Sequence, residues 1–297
     1  MSNDINSSAG AINALEALAR RADVPSYYQI GGKPLVRMPG QSAYISLESH
    51  MAKPLRKRAS VTLLDAASLI GYVNKHKAPG TQILGVANEE GGEFNALLDY
   101  HLSCEEVAAQ GNLDANPARW VEHKAGLKLR TTPEWDRWLG KDGDDLTQSD
   151  FAVFIEDNAQ DIVVPDSDLR APNSAQMMDI ALTLQAKTGI EFSSAKRLQD
   201  GQQRLTYNEI IDAKAGPGGD MAIPAKFYIS VPPFVGSARY LVSARLRFRV
   251  GGGRVIFKYE LERIHKIVEA AFNDQRELIE KDTGLKVLLG SVMSVGL

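Results

Sequence analysis

SARLRFRVGGGRVIFKYELE, residues 243–262, reads as two strands joined by a glycine turn. On the first strand Arg245, Arg247 and Arg249 alternate with Leu246, Phe248 and Val250. Successive side chains of a strand point to opposite faces, so the three arginines share one face. After Gly251-Gly252-Gly253, Arg254, Ile256 and Lys258 share one parity, and Val255, Phe257 and Tyr259 the other. A glycine run followed by a second alternating segment is a hairpin signal. When the turn brings matching faces together, Arg245, Arg247, Arg249, Arg254 and Lys258 line one surface and the large apolar residues line the other.

The pattern changes period directly after the hairpin. Leu261, Ile264, Val268, Phe272 and Leu278 or Ile279 recur at helical spacing, predicting a helix over 260–281 that Gly284 ends. KVLLGSVMSV then reads as a strand. Upstream, 225–231 is a strand, and AGPGGDMAIP at 215–224 is a loop in which half the residues are Gly or Pro. Strands are expected at 190–199 and 203–213, after a helix over 175–187 capped by Ser174. Residues 162–173, with two prolines, form the best domain boundary.

Before that boundary, Thr132-Pro133 and Thr147-x-x-Asp150 are helix-start signals. They predict an αα unit at 132–160, with Trp135, Trp138 and Leu139 on one face and Phe151, Phe154 and Ile155 on another. Residues 124–132 alternate as a strand. The segment 104–119 is polar and reads as a surface loop, with Cys104 a small half-buried residue at a strand end. TQILGVA and FNALLDYHL, around Glu89-Glu90-Gly91-Gly92, form a second hairpin. Asp65 caps a helix over 66–76 that turns Leu69, Tyr72 and Val73 inward. YYQI, PLVRM, AYISL and SVTLL are short strands, preceded by a helix over 9–22.

The expected class is therefore α+β: antiparallel strand meanders with interspersed helices, and a long C-terminal helix packed on a sheet. The two expected regions are 1–165, which includes the αα unit, and 174–297, which carries the basic hairpin and the long helix.

Composition limits function. The chain has 297 residues, 44% of them hydrophobic, and 34 Lys and Arg against 37 Asp and Glu. A globally basic surface is excluded, but a local basic patch is not. The single cysteine cannot form an intramolecular disulfide, and it fits a reducing compartment. Neither a secretion signal nor a run of roughly 18 apolar residues appears, so no membrane partner is expected.

Familiar catalytic motifs are missing. There is no phosphate-loop motif, no dinucleotide fingerprint, no nucleophile elbow and no His-Glu-x-x-His. No cofactor, metal or catalytic residue is assigned. Lys141-Asp142-Gly143-Asp144-Asp145 lacks the spacing of a calcium loop and reads as a solvated turn. An enzyme reading would have to gather Asp99, His101, Glu156 and Asp157 from separate segments.

The basic hairpin is the informative feature. Like charges on adjacent strands repel, so something must neutralise them. Phosphate suits arginine, whose planar fork binds oxygens bidentately. The plainer reading is a solvated face with ion pairs to Glu260 and Glu262. A second basic cluster, Lys53, Arg56, Lys57 and Arg58, precedes SVTLL. Beside the hairpin it would complete a groove for an anionic polymer.

NALLDYHL (95–102), TPEWDRW (132–138) and SDFAVFIEDN (149–158), in that order, resemble the YfdQ-like family of phage and prophage proteins. The resemblance implies a phage-encoded protein in the bacterial host cytoplasm and carries no catalytic residues with it. The expected function is a non-enzymatic accessory protein binding nucleic acid or another phosphate-rich ligand, in phage DNA metabolism, recombination or the countering of host defence. The alternative is a self-assembling structural protein. A host or phage protein is a further expected partner.

Overall fold

The computed structural model describes residues 12–14, 16–17, 25–30, 32–39, 42–88, 91–111, 117–191, 208–214, 223–251 and 254–291. Contacts divide the chain into two units, Met1–Ala59 and Ser60–Leu297.

In the first unit β1 (Ser26–Ile30), β2 (Lys33–Arg37) and β3 (Ile45–Ser46) form an antiparallel sheet in that order. Tyr28 and Tyr44 meet edge to face at 5.2 Å. Val36 is the only buried apolar side chain among this unit's described residues.

The second unit starts at the second residue of β4 (Ala59–Leu63) and continues with α1 (Ala66–His76), β5 (Gln82–Val86), β6 (Glu93–Leu97), α2 (Cys104–Ala109) and β7 (His123–Lys128). Asp65 caps α1 as expected, its carboxylate accepting from the Ser68 amide at 2.7 Å. The segment 104–119 departs from expectation because it opens as the helix α2. Ser103 and Glu106 form a reciprocal capping box there, satisfying two backbone donors at once. Cys104 is consequently the first residue of a helix, and exposed.

The chain continues with α3 (Pro133–Leu139), β8 (Leu146–Thr147), α4 (Gln148–Asp157), β9 (Ile162–Val163), α5 (Ser174–Thr183), β10 (Gln185–Glu191) and β11 (Asn208–Lys214). Thr132 and Thr147 cap α3 and α4, as their motifs predict. Asn173, not Ser174, caps α5. That helix stops at Thr183, short of the expected 187, where the Gln148 side-chain amide donates to the Leu182 and Leu184 carbonyls. β10 and β11 pair as an antiparallel ribbon.

Last come β12 (Lys226–Val231), β13 (Tyr240–Gly251), β14 (Arg254–Leu261), α6 (Ile264–Thr283) and β15 (Val287–Leu289). The helix starts later than 260 because β14 runs on to Leu261, whose amide donates to Asp142 at 2.7 Å. Arg263 then adopts a left-handed conformation, φ 57°, between strand and helix. Most of the 9–22 helix, the 215–222 part of the glycine-rich loop, Gly252-Gly253 and the end of the last expected strand lie outside the described residues.

Two five-stranded sheets result. One has the order β8-β14-β13-β12-β9, and the other β15-β5-β6-β7-β4. The 162–173 segment, expected as a boundary, starts with β9, which pairs with β12 (Ile229 opposite Ile162). In the first sheet Phe227, Ile229, Leu246, Phe257 and Tyr259 meet Trp135, Trp138, Phe151, Ile155, Met177 and Ile180 from α3, α4 and α5. In the second, Ile83, Phe94 and Leu127 meet Leu69 and Val73 of α1 and Phe272 and Ile279 of α6. The long C-terminal helix packs on a sheet, as the α+β reading requires.

Candidate functional site

The register of β13 on β14 decides which side chains share a face. Arg245 stands opposite Glu260, Arg247 opposite Lys258, Arg249 opposite Ile256, and Gly251 opposite Arg254. The five cations of the hairpin thus share one face. The intervening residues form the other: Leu246 opposite Tyr259 and Phe248 opposite Phe257, with Leu246, Phe257 and Tyr259 buried. Burial of this apolar face holds the cations outward. Arg245, Arg247 and Arg249 keep half or more of their side-chain surface in solvent.

Carboxylates of the same chain lie among the cations. Arg245 reaches Glu262 at 2.6 Å, and Arg247 reaches Glu260 at 3.1 Å. Arg249 pairs with Asp145, which also lies 3.4 Å from Lys258. Glu260 and Glu262 are the partners the sequence offers. Asp145 comes from the acidic turn 141–145, which docks on the hairpin: Asp142 accepts from Leu261 and the Gly143 amide donates to the Tyr259 carbonyl. Burial pushes the Asp142 carboxyl up, while hydrogen bonds from Ser243 and Arg245 hold Glu262 below its ordinary range. Arg254, at the tip, has no ion pair among the described residues.

The adjacent strand extends the face. Lys226 on β12 is opposite Arg245, with Asp168 4.0 Å away. Beyond it, a hollow of about 720 Å³ is lined by Lys226, Tyr228, Arg245, Glu262, Arg263 and Lys266, among others. A second hollow of about 290 Å³ lies over Arg247, Arg249, Ile256, Lys258 and Asp145. The sequence reading missed Lys226, Arg263 and Lys266. The alternation of Lys226-Phe-Tyr-Ile-Ser-Val placed Lys226 on a polar face, but nothing local tied that face to Arg245.

The other sequence candidates behave differently. Lys53, Arg56, Lys57 and Arg58 belong to the first unit, where Arg58 pairs with Glu48 at 3.1 Å. Asp99 and His101 follow β6, whereas Glu156 and Asp157 end α4 against the other sheet. The Asp99 carboxylate accepts from the Glu122 and His123 amides, and His101 Nδ1 accepts from the Arg119 amide. These contacts are structural, and the structure joins the four residues by no contact. Among the described residues no group of three His, Cys, Asp or Glu is placed to hold a metal ion. No helix among them is long and apolar enough to cross a membrane.

The chain matches, over residues 6–292, a family described as an uncharacterized conserved protein, DUF2303. It belongs to that family. The match takes in the hairpin, the acidic turn that docks on it and the helix that borders the larger hollow. No curated protein and no solved structure matches the chain.

Proposed function

We propose that this protein is a non-enzymatic accessory protein, in a phage or prophage setting, that binds nucleic acid through the outer face of β12, β13 and β14. One observation carries the reading. The strand register gathers Lys226, Arg245, Arg247, Arg249, Arg254 and Lys258 on a single solvent-facing surface. Cations along β13 recur about every 7 Å, since alternate residues of a strand lie two rises apart.

The internal ion pairs are compatible with this role. Exposed pairs contribute about 0.2–1 kcal/mol each. Phosphate oxygens can therefore displace the carboxylates, and arginine binds them bidentately. Binding then releases counterions and weakens steeply with salt. The test is fluorescence anisotropy with labelled single- and double-stranded DNA over a salt series. The double reversal Arg245→Glu/Arg247→Glu should weaken binding at least tenfold, and unchanged affinity refutes the reading.

A second reading, self-assembly, is favoured by the first unit. Its three-stranded sheet leaves Tyr27, Ile30, Tyr44 and Ile45 exposed, Tyr27 by 73%. A small sheet with one buried apolar residue gains stability when a second copy covers that surface. A monomeric mass at micromolar concentration counts against it.

A further inference from the structure

The larger hollow gathers, in one concavity, two cations that no carboxylate pairs with among the described residues. Along the hairpin, Arg245, Arg247, Arg249 and Lys258 share three carboxylates, Glu262, Glu260 and Asp145, and Arg254 stands apart at the tip. In the hollow, Lys226 has Asp168 and Arg245 has Glu262, whereas Arg263 and Lys266 have no ion pair among the described residues. Two uncompensated cations thus stand beside two compensated ones in one concavity of about 720 Å³. That size falls within the usual range for pockets that hold small ligands or ligand groups.

Backbone geometry adds a second observation. Arg263 sits at φ 57°, ψ 38°, in the left-handed region that favours glycine. An ordinary side chain there costs about 1 kcal/mol or more. Nothing in the surroundings demands a long side chain for packing, because Arg263 is exposed. Arg263, the residue before α6, lines the hollow, and Lys266 in the first turn of that helix lines it too.

We infer that this hollow receives the terminal phosphate monoester of a nucleic-acid strand whose backbone runs along β13. The inference rests on the nucleic-acid reading above and adds an end to the strand. An internal phosphodiester carries one negative charge. A terminal monoester carries about 1.5 to 2 and offers three acceptor oxygens, which matches the two uncompensated cations and their donors. The strand's interior phosphates meet the better-balanced ladder of Arg245, Arg247 and Arg249. The monoester is bound at the end of that ladder.

The test compares one 12-nucleotide single strand in three forms: 5′-phosphate, 3′-phosphate and hydroxyl at both ends, labelled internally. One phosphorylated end should bind at least tenfold more tightly than the hydroxyl form, which also tells the 5′ source from the 3′ source. The double variant Arg263→Gly/Lys266→Gln should abolish that gain and leave hydroxyl-ended binding within about twofold. Glycine suits the left-handed position, so this variant keeps its fold, and its thermal midpoint checks that. Equal affinity for all three forms overturns the terminal-phosphate site while leaving the nucleic-acid face intact. Absence of binding to any form at low salt overturns both.

Discussion

Arg247 and Lys258 stand directly opposite each other across β13 and β14. Like charges so placed destabilise a sheet, and here Glu260 and Asp145 lie between them and their neighbours. Removing one carboxylate should unmask the cations. Glu260→Gln is expected to tighten DNA binding several-fold at low salt and to lower the thermal midpoint only slightly, since the pairs are exposed. Glu277→Gln, on an exposed position of α6, should change affinity far less. Equal responses of the two variants would argue against this face as the contact surface.

Salt dependence separates a phosphate contact from a structural one. Arg245→Ala and Arg247→Ala should each reduce the slope of log affinity against log salt by about one. Each should cost less than about 1 kcal/mol of stability by chemical denaturation. An unchanged slope would assign these arginines to the ion-pair ladder alone.

The opposite face of the same hairpin should respond in the reverse manner. The Tyr259 hydroxyl, pushed well above its ordinary range by burial, stays neutral and donates to the Trp138 carbonyl at 2.6 Å. Tyr259→Phe leaves that buried carbonyl without its donor and should cost about 1–2 kcal/mol. Trp138→Ala should cost about 3–5 kcal/mol. Denaturant midpoints measure both, and neither variant should alter the salt slope of whatever folded protein remains.

Glu106 provides a test in pH. Its carboxylate accepts from the Ser103 amide at 2.8 Å and the Gly80 amide at 2.6 Å. The Ser103 bond first, then the Gly80 bond, hold it below the ordinary value of 4.5. A depressed folded-state value means the stabilisation is present above pH 4.5 and is lost as the pH falls through the lower folded value. Glu106→Gln should therefore lower stability at pH 7 by about 1 kcal/mol. It should also flatten the decline between pH 5 and 3, as thermal melts across that range would register.

Much of the fold was legible locally. Asp65, Thr132 and Thr147 announced three helix starts because a cap is a contact between near neighbours in sequence. The capping box at Ser103 and Glu106 is equally local, yet the polar composition of 104–119 obscured it. The helix around Met177 was placed correctly but ended early, because the Gln148 amide that captures its last carbonyls comes from a different helix.

The division at the candidate site follows the same logic. Alternation along SARLRFRV and RVIFKYEL determined by itself that the arginines share a face, because a strand's side-chain period is fixed by its backbone. The glycine turn made the antiparallel partner equally readable. Glu260 and Glu262 were readable as partners of that face as well, and tertiary structure decided the rest of what meets it. Asp145 reaches Arg249 across 104 residues of sequence, and Lys226 joins through the β12 register. Arg263 and Lys266 enter by way of a left-handed residue at the start of α6. Charges act through space, so a local pattern fixes which cations align, while the balance of charge around them depends on chain segments that only folding brings near.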